Sequence, residues 1–312
     1  MADFGGLDKE HFDTYLPSKW SSMVHNLARM KTKSTMIALG DTTALGLDDE
    51  IFGQMVRGAS DEIPNISNQK KVDSQWIYWF RSKQDREQLS TLLGKTVLEK
   101  ESIFNTSAHD KHITLTLILS HEKFWVGIQI APNAKVDRLN LAAKLQVEEK
   151  PEVFLNRLAN LPTEAVMGFG DNLASAVKAP LENMKELTLQ LAESDQRFYL
   201  GFSYAIEEAS DLGINLVGKI RENLNTLIPC YRFMAWSKQN DFIGATKQIR
   251  AEQSQKQEKA KSLKEGDKVR ITSGLLSGQI GVVDKIDAKM MTKVSVGKMS
   301  MKVPSADLIP VR

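Results

Sequence analysis

Cysteine is nearly absent: the 312 residues contain one, Cys230. An internal disulfide framework is thereby excluded, and a reducing compartment is the expectation. No apolar run approaches the roughly 18–20 residues that a membrane helix needs. The opening stretch MADFGGLDKEHFD is acidic and polar, without the basic start and apolar core of a signal peptide. The sequence therefore reads as a cytoplasmic protein with no membrane partner. Catalytic signatures are missing too. There is no HExxH, no CxxC, no glycine-rich phosphate loop and no GxSxG elbow, so no catalytic residue, metal or cofactor is expected. What remains is a folded composition, with 42% hydrophobic and 26% charged residues.

Histidine is the one residue type that leaves an enzymatic alternative open. His109 and His112 stand in HDKH, and His121 follows in HE. If a hairpin brings His112 and His121 together, a metal-dependent hydrolase or nuclease accessory enzyme with a site near His109, His112 and His121 is the alternative function. Ordinary surface histidines on a hairpin are the preferred reading.

Charge is unevenly spread. The stretch 238–312 holds 15 Lys+Arg against 8 Asp+Glu, a balance of +7, whereas the remainder balances at −5. A polyanion contact is expected in the C-terminal quarter.

A sentence is written twice in this chain. FWVGIQIA, Phe124 to Ala131, returns as FYLGFSYA, Phe198 to Ala205. LTLIL (115–119) precedes the first copy and LTLQL (187–191) the second, and both alternate as strands do. SHEK and AESDQR read as hairpin connections. Helical spacing follows each copy in VDRLNLAAKL and DLGINLVGKIRENLNTLI. Further upstream, WIYWF (76–80) matches AVMGF (165–169). The expectation is an α+β fold: a duplicated antiparallel-sheet domain over 1–236, with internal repeats at about 75–146 and 164–228 and helices on one face.

Pleating sorts the two copies. Phe124, Val126, Ile128 and Ile130, with Phe198, Leu200, Phe202 and Tyr204, form the core face. The opposite face carries Trp125 and Gly127, matched by Tyr199 and Gly201. An aromatic beside a glycine on an open sheet face is a candidate docking surface for a protein or ligand. The alternative is that the N-terminal helices cover this face.

Residues 237–262 are rich in Lys, Gln and Glu and read as a helical connector. Beyond it, Gly266, Asp267, Val269, Ile271, Gly274, Leu276, Gly278, Gly281 and Val283 fall in a pattern that resembles a KOW motif in an SH3-like barrel. Such modules occur in NusG-type transcription factors and ribosomal proteins, and the tail VSVGKMSMKVPSADLIPV resembles the KOW-like module of MutS-related Smr proteins. The resemblance covers about 263–312 and implies a small all-β barrel. It implies nucleic acid, the ribosome or RNA polymerase as partner, with Lys268, Arg270, Ser273 and Lys285 as contacts. Gln279 stands where many nucleic-acid-binding members have a basic residue. The function expected is a non-catalytic adapter or regulatory protein.

Overall fold

The two like segments pair with each other. Gly127 faces Gly201, Val126 faces Phe202 and Ile128 faces Leu200, in antiparallel register. Because Gly127 and Gly201 are also the matched positions of the doubled sequence, a local twofold passes between them. The computed structural model describes residues 4–47, 52–66, 68–92, 108–244, 263–271, 278–286, 291–297, 299–305 and 308–311. It divides into two compact units, Met1–Ile243 and Gly244–Arg312.

In chain order the first unit carries α1 (Lys9–Asp13), α2 (Asn26–Ala44), β1 (Val56–Ala59), β2 (Ser74–Phe80), α3 (Lys83–Leu92), β3 (Ile113–Ser120) and β4 (Lys123–Ile130). It continues with α4 (Lys135–Leu145), α5 (Lys150–Ala159), β5 (Val166–Phe169), β6 (Asn172–Ser175), α6 (Asn183–Glu193), β7 (Phe198–Ala205), α7 (Ile206–Asp211) and α8 (Leu216–Met234). The second unit carries β8 (Lys268–Ile271), β9 (Ile280–Ile286), β10 (Met291–Val296), β11 (Met299–Pro304) and β12 (Leu308–Pro310).

The first unit is built on one seven-stranded sheet of order β1-β2-β3-β4-β7-β5-β6, antiparallel throughout. Phe124, Val126, Ile128 and Ile130 join Phe198, Leu200, Phe202 and Tyr204 in a single buried core with Leu39 of α2, Leu141 of α4 and Leu224 of α8. Gly40 lets α2 close on the sheet, since a Cβ there would stand 2.8 Å from Ile77. At the centre, a Cβ on Gly201 would meet Val126 O at 2.3 Å and Gly127 Cα at 2.6 Å, so both glycines are required by the close approach of β4 and β7.

The repeat is shorter than the sequence implied. LTLQL is helical: it lies in α6, where Met184, Leu187, Thr188 and Leu191 are buried and Leu189 is exposed. That stripe has the helical period, and the stretch NMKE before it carries strong helix formers. AVMGF and WIYWF are not equivalent either, because β5 pairs directly with β7 whereas β3 separates β2 from β4. Strand plus following helix is what the two copies share.

The second unit is a five-stranded antiparallel sheet of order β11-β10-β9-β8-β12 around Leu263, Val269, Ile271, Val283, Val294, Val303 and Leu308. Gly266 and Gly278 turn with φ of 90° and 88°, values that favour glycine. Ser273, Gly274 and Leu276 lie outside the described residues, as do 245–262 of the expected connector. Its first residues are not helical. Ser237–Asn240 form a turn that docks on α4, where Lys144 Nζ donates to Asn240 Oδ1 at 2.7 Å and Phe242 N donates to Asn140 Oδ1 at 2.7 Å.

Within the first unit, one buried carboxylate ties distant segments together. Asp137, on α4, is fully buried and accepts from both terminal nitrogens of Arg81, from Ile113 N at 2.8 Å and from Trp236 N at 2.9 Å. Burial alone would raise its pKa, but the Arg81 charge and these donors hold it below the usual carboxylate range. Replacing Asp137 by Asn leaves Arg81 buried without a counter-ion. The expected cost is about 3–5 kcal/mol, read as a lowered urea midpoint for Asp137→Asn at neutral pH.

Candidate functional site

Two surfaces carry the residues singled out from the sequence. The first is the sheet face turned away from the helical core. Trp125 is buried at 3% exposure and Tyr199 is half-buried, with their rings edge to face at 5.5 Å. The space above the glycines is filled from within, because a Cβ on Gly127 would lie 3.0 Å from the Trp125 ring. Around these rings lies a groove of about 410 Å³ whose walls include Trp20, Trp76, Ile118, Trp125, Leu173 and Tyr199. Trp20 reaches it because Arg29, wholly buried on α2, donates to Lys19 O, Ser22 O and Glu62 O, while Val72 N bonds Trp20 O at 3.0 Å. Trp20 lies far from the doubled segments in sequence, so no local pattern marked it.

This face also holds polar atoms that lack partners. Thr114 Oγ1, Trp125 Nε1 and Gln129 Oε1 are buried without a hydrogen bond, and so is Arg197 Nη1. Arg197 places its guanidinium 5.0 Å from the Trp76 ring centre and bonds Asp110 at 2.8 Å. Toward β1 the face is covered. His109 stacks on Tyr78 at 3.8 Å, His112 stacks on Phe80 at 6.0 Å, and Arg86 of α3 lies over Phe80 at 4.9 Å.

The histidines do not converge as the hairpin suggested. His112 precedes β3 and His121 follows it, and the strand's eight residues separate them by about 26 Å at about 3.3 Å per residue. His109 and His112 serve as packed rings, and His121 sits against Trp20 beside Glu122. Among the described residues no group of three His, Cys, Asp or Glu side chains is placed to hold a metal ion.

A larger concavity of about 680 Å³ surrounds Lys144, Arg157, Arg232 and Lys238. Two of these cations close the end of α8: Lys144 Nζ donates to Phe233 O at 3.0 Å and Arg157 to Pro229 O at 3.2 Å. Such placement complements the negative end of a helix. Burial pushes the Lys144 ammonium down to about 8, helped by Lys150 and Arg157.

The second surface is the outer side of the C-terminal sheet. Lys268 and Arg270 are exposed at alternate positions of β8, and Lys285 is exposed on β9. Register adds what the sequence pattern did not single out as contacts. Lys285 stands opposite Lys293 on β10, and Lys293 stands opposite Lys302 on β11. All three are exposed, so three cations cross three neighbouring strands. Asp284, next to Lys285, accepts from Ser295 at 2.7 Å and Ser300 at 3.2 Å.

The sequence matches no protein-family model, and no curated protein shows significant similarity to it.

Burial and the Arg81 charge lower His112 to about 4, below the ordinary histidine value of about 6.5. Neutral His112 therefore contributes stability that is full above about pH 6.5 and is lost as pH falls toward about 4. His112→Gln removes on the order of 2–3 kcal/mol of this pH dependence, measured as the difference between urea midpoints at pH 7 and pH 4.5 in the two proteins.

Proposed function

We propose that the chain is a non-catalytic adapter whose C-terminal unit, a KOW-type SH3-like barrel in this reading, binds nucleic acid. The observation that carries it is the cross-strand row Lys285–Lys293–Lys302. Three exposed cations in one cross-strand row form a basic strip that attracts a phosphate backbone. Lys268 and Arg270 add two cations on the same outer side. Phosphate contacts of this kind position a nucleic acid without reading its sequence, which suits ribosomal RNA or a transcript on a polymerase. A protein surface of either machine is the second reading. It is favoured by Ile280 and Val282, which are 48% and 39% exposed and stand opposite Arg270 and Lys268.

Charge reversal of the lysine row tests the proposal. With the full-length triple variant Lys285→Glu, Lys293→Glu and Lys302→Glu, affinity for a fluorescent RNA oligonucleotide at 0.1 M salt should fall at least tenfold. The slope of log affinity against log salt should shrink by about 2–3, near one counterion per lost contact. Unchanged affinity and slope would refute the reading. Loss of a protein contact with RNA binding intact would favour the second.

A further inference from the structure

The aromatic groove on the open sheet face has a charge pattern unlike that of the C-terminal unit. Asp73, Glu122 and Asp171 stand on its rim and are exposed, against one lysine, Lys123. Its walls are Trp20, Trp76, Trp125 and Tyr199, rings whose faces attract cations, tryptophan most strongly. The molecule already uses one of these rings in that way: the Arg197 guanidinium lies 5.0 Å from the Trp76 centre with Asp110 as its carboxylate. Trp125, walling the same groove, is buried with an indole N–H that has no acceptor.

From these observations we infer that the groove binds an extended peptide segment bearing arginine or lysine, supplied by a partner protein. The cationic side chains lie on the indole faces, with Asp73, Glu122 and Asp171 as counter-ions. A peptide suits the site better than a small cation because the walls run from Trp76 on β2 to Leu173 on β6. In the order β2-β3-β4-β7-β5-β6 that is roughly 24 Å at about 4.8 Å per strand, the reach of about seven extended residues. Nucleic acid is disfavoured by the carboxylates, which would face its phosphates. This inference names the second partner of the adapter, and it stands whatever the C-terminal unit binds.

The probe is a fluorescein-labelled heptapeptide, Gly-Ala-Arg-Ala-Arg-Ala-Gly, titrated with the full chain and followed by anisotropy. Its citrulline analogue, equal in shape and uncharged, should bind at least fivefold more weakly. The variant Asp73→Asn, Glu122→Gln, Asp171→Asn should lose at least fivefold, whereas neutralising Glu186 and Glu193 on α6, with Glu182 just before it, should change nothing. Trp125→Phe, which replaces the indole by a ring that attracts cations less strongly, should weaken binding about threefold to tenfold. The rim residues are exposed, so their variant stays informative if the tryptophan variant fails to fold.

Equal binding of arginine and citrulline peptides overturns the proposal, as does full affinity in the rim variant or no saturation at millimolar peptide. Binding of a uridine oligonucleotide that is lost in Trp125→Phe would make the groove a nucleic-acid platform instead. Dimerisation of the chain that the rim variant abolishes would place a second copy there, and either result refutes a peptide partner. Running the Lys285, Lys293 and Lys302 charge-reversal variant in parallel separates the two sites, since it should keep full peptide affinity.

Discussion

The first unit depends on where the chain puts one negative charge. Asp137 draws together the end of β2 through Arg81, the start of β3 through Ile113 and the exit of α8 through Trp236. Burying a carboxylate in isolation is prohibitive, and even a paired one is stable only when its remaining lone pairs are used. Here they are. Asn140 and Lys144 follow one and two turns later on α4 and grip the same tail, at Phe242 and Asn240. Three polar residues on one helical face thus decide where the first unit ends.

That arrangement explains why 237–244 is not the start of a helix. Composition reads Lys, Gln and Asn as solvated, and nothing in the local pattern reveals that Asn240 is clasped by Lys144 and by carbonyls at Phe233 and Ala235. The doubled segments, by contrast, were legible as strands. Alternation over eight residues with buried apolar positions on one side leaves little choice of structure. LTLQL is ambiguous, because three leucines at alternate positions also fit a helix when Leu189 points to water. The deciding residue, Met184, lies upstream of that stretch. Cross-strand neighbours are the other thing a sequence hides. Lys285, Lys293 and Lys302 form a row only once the register of β9, β10 and β11 is known, and Trp20 joins Trp125 only through the buried Arg29.

The two candidate surfaces are of opposite character. One presents cations on strands with a small core beneath them. The other presents aromatic rings with carboxylates at the rim, on a sheet whose far side is packed against helices. A polyanion attracted to one is repelled by the other, so the two surfaces favour ligands of unlike charge.

The meeting of Gly127 and Gly201 has a consequence for how the sheet holds together. Two like strands paired about a twofold are what separate subunits make at an isologous interface. Such an interface comes apart on dilution, because its stability includes the concentration of free subunits. With both strands on one chain the partner is always present at a fixed effective concentration. The central seam of the sheet is thus indifferent to how much protein there is.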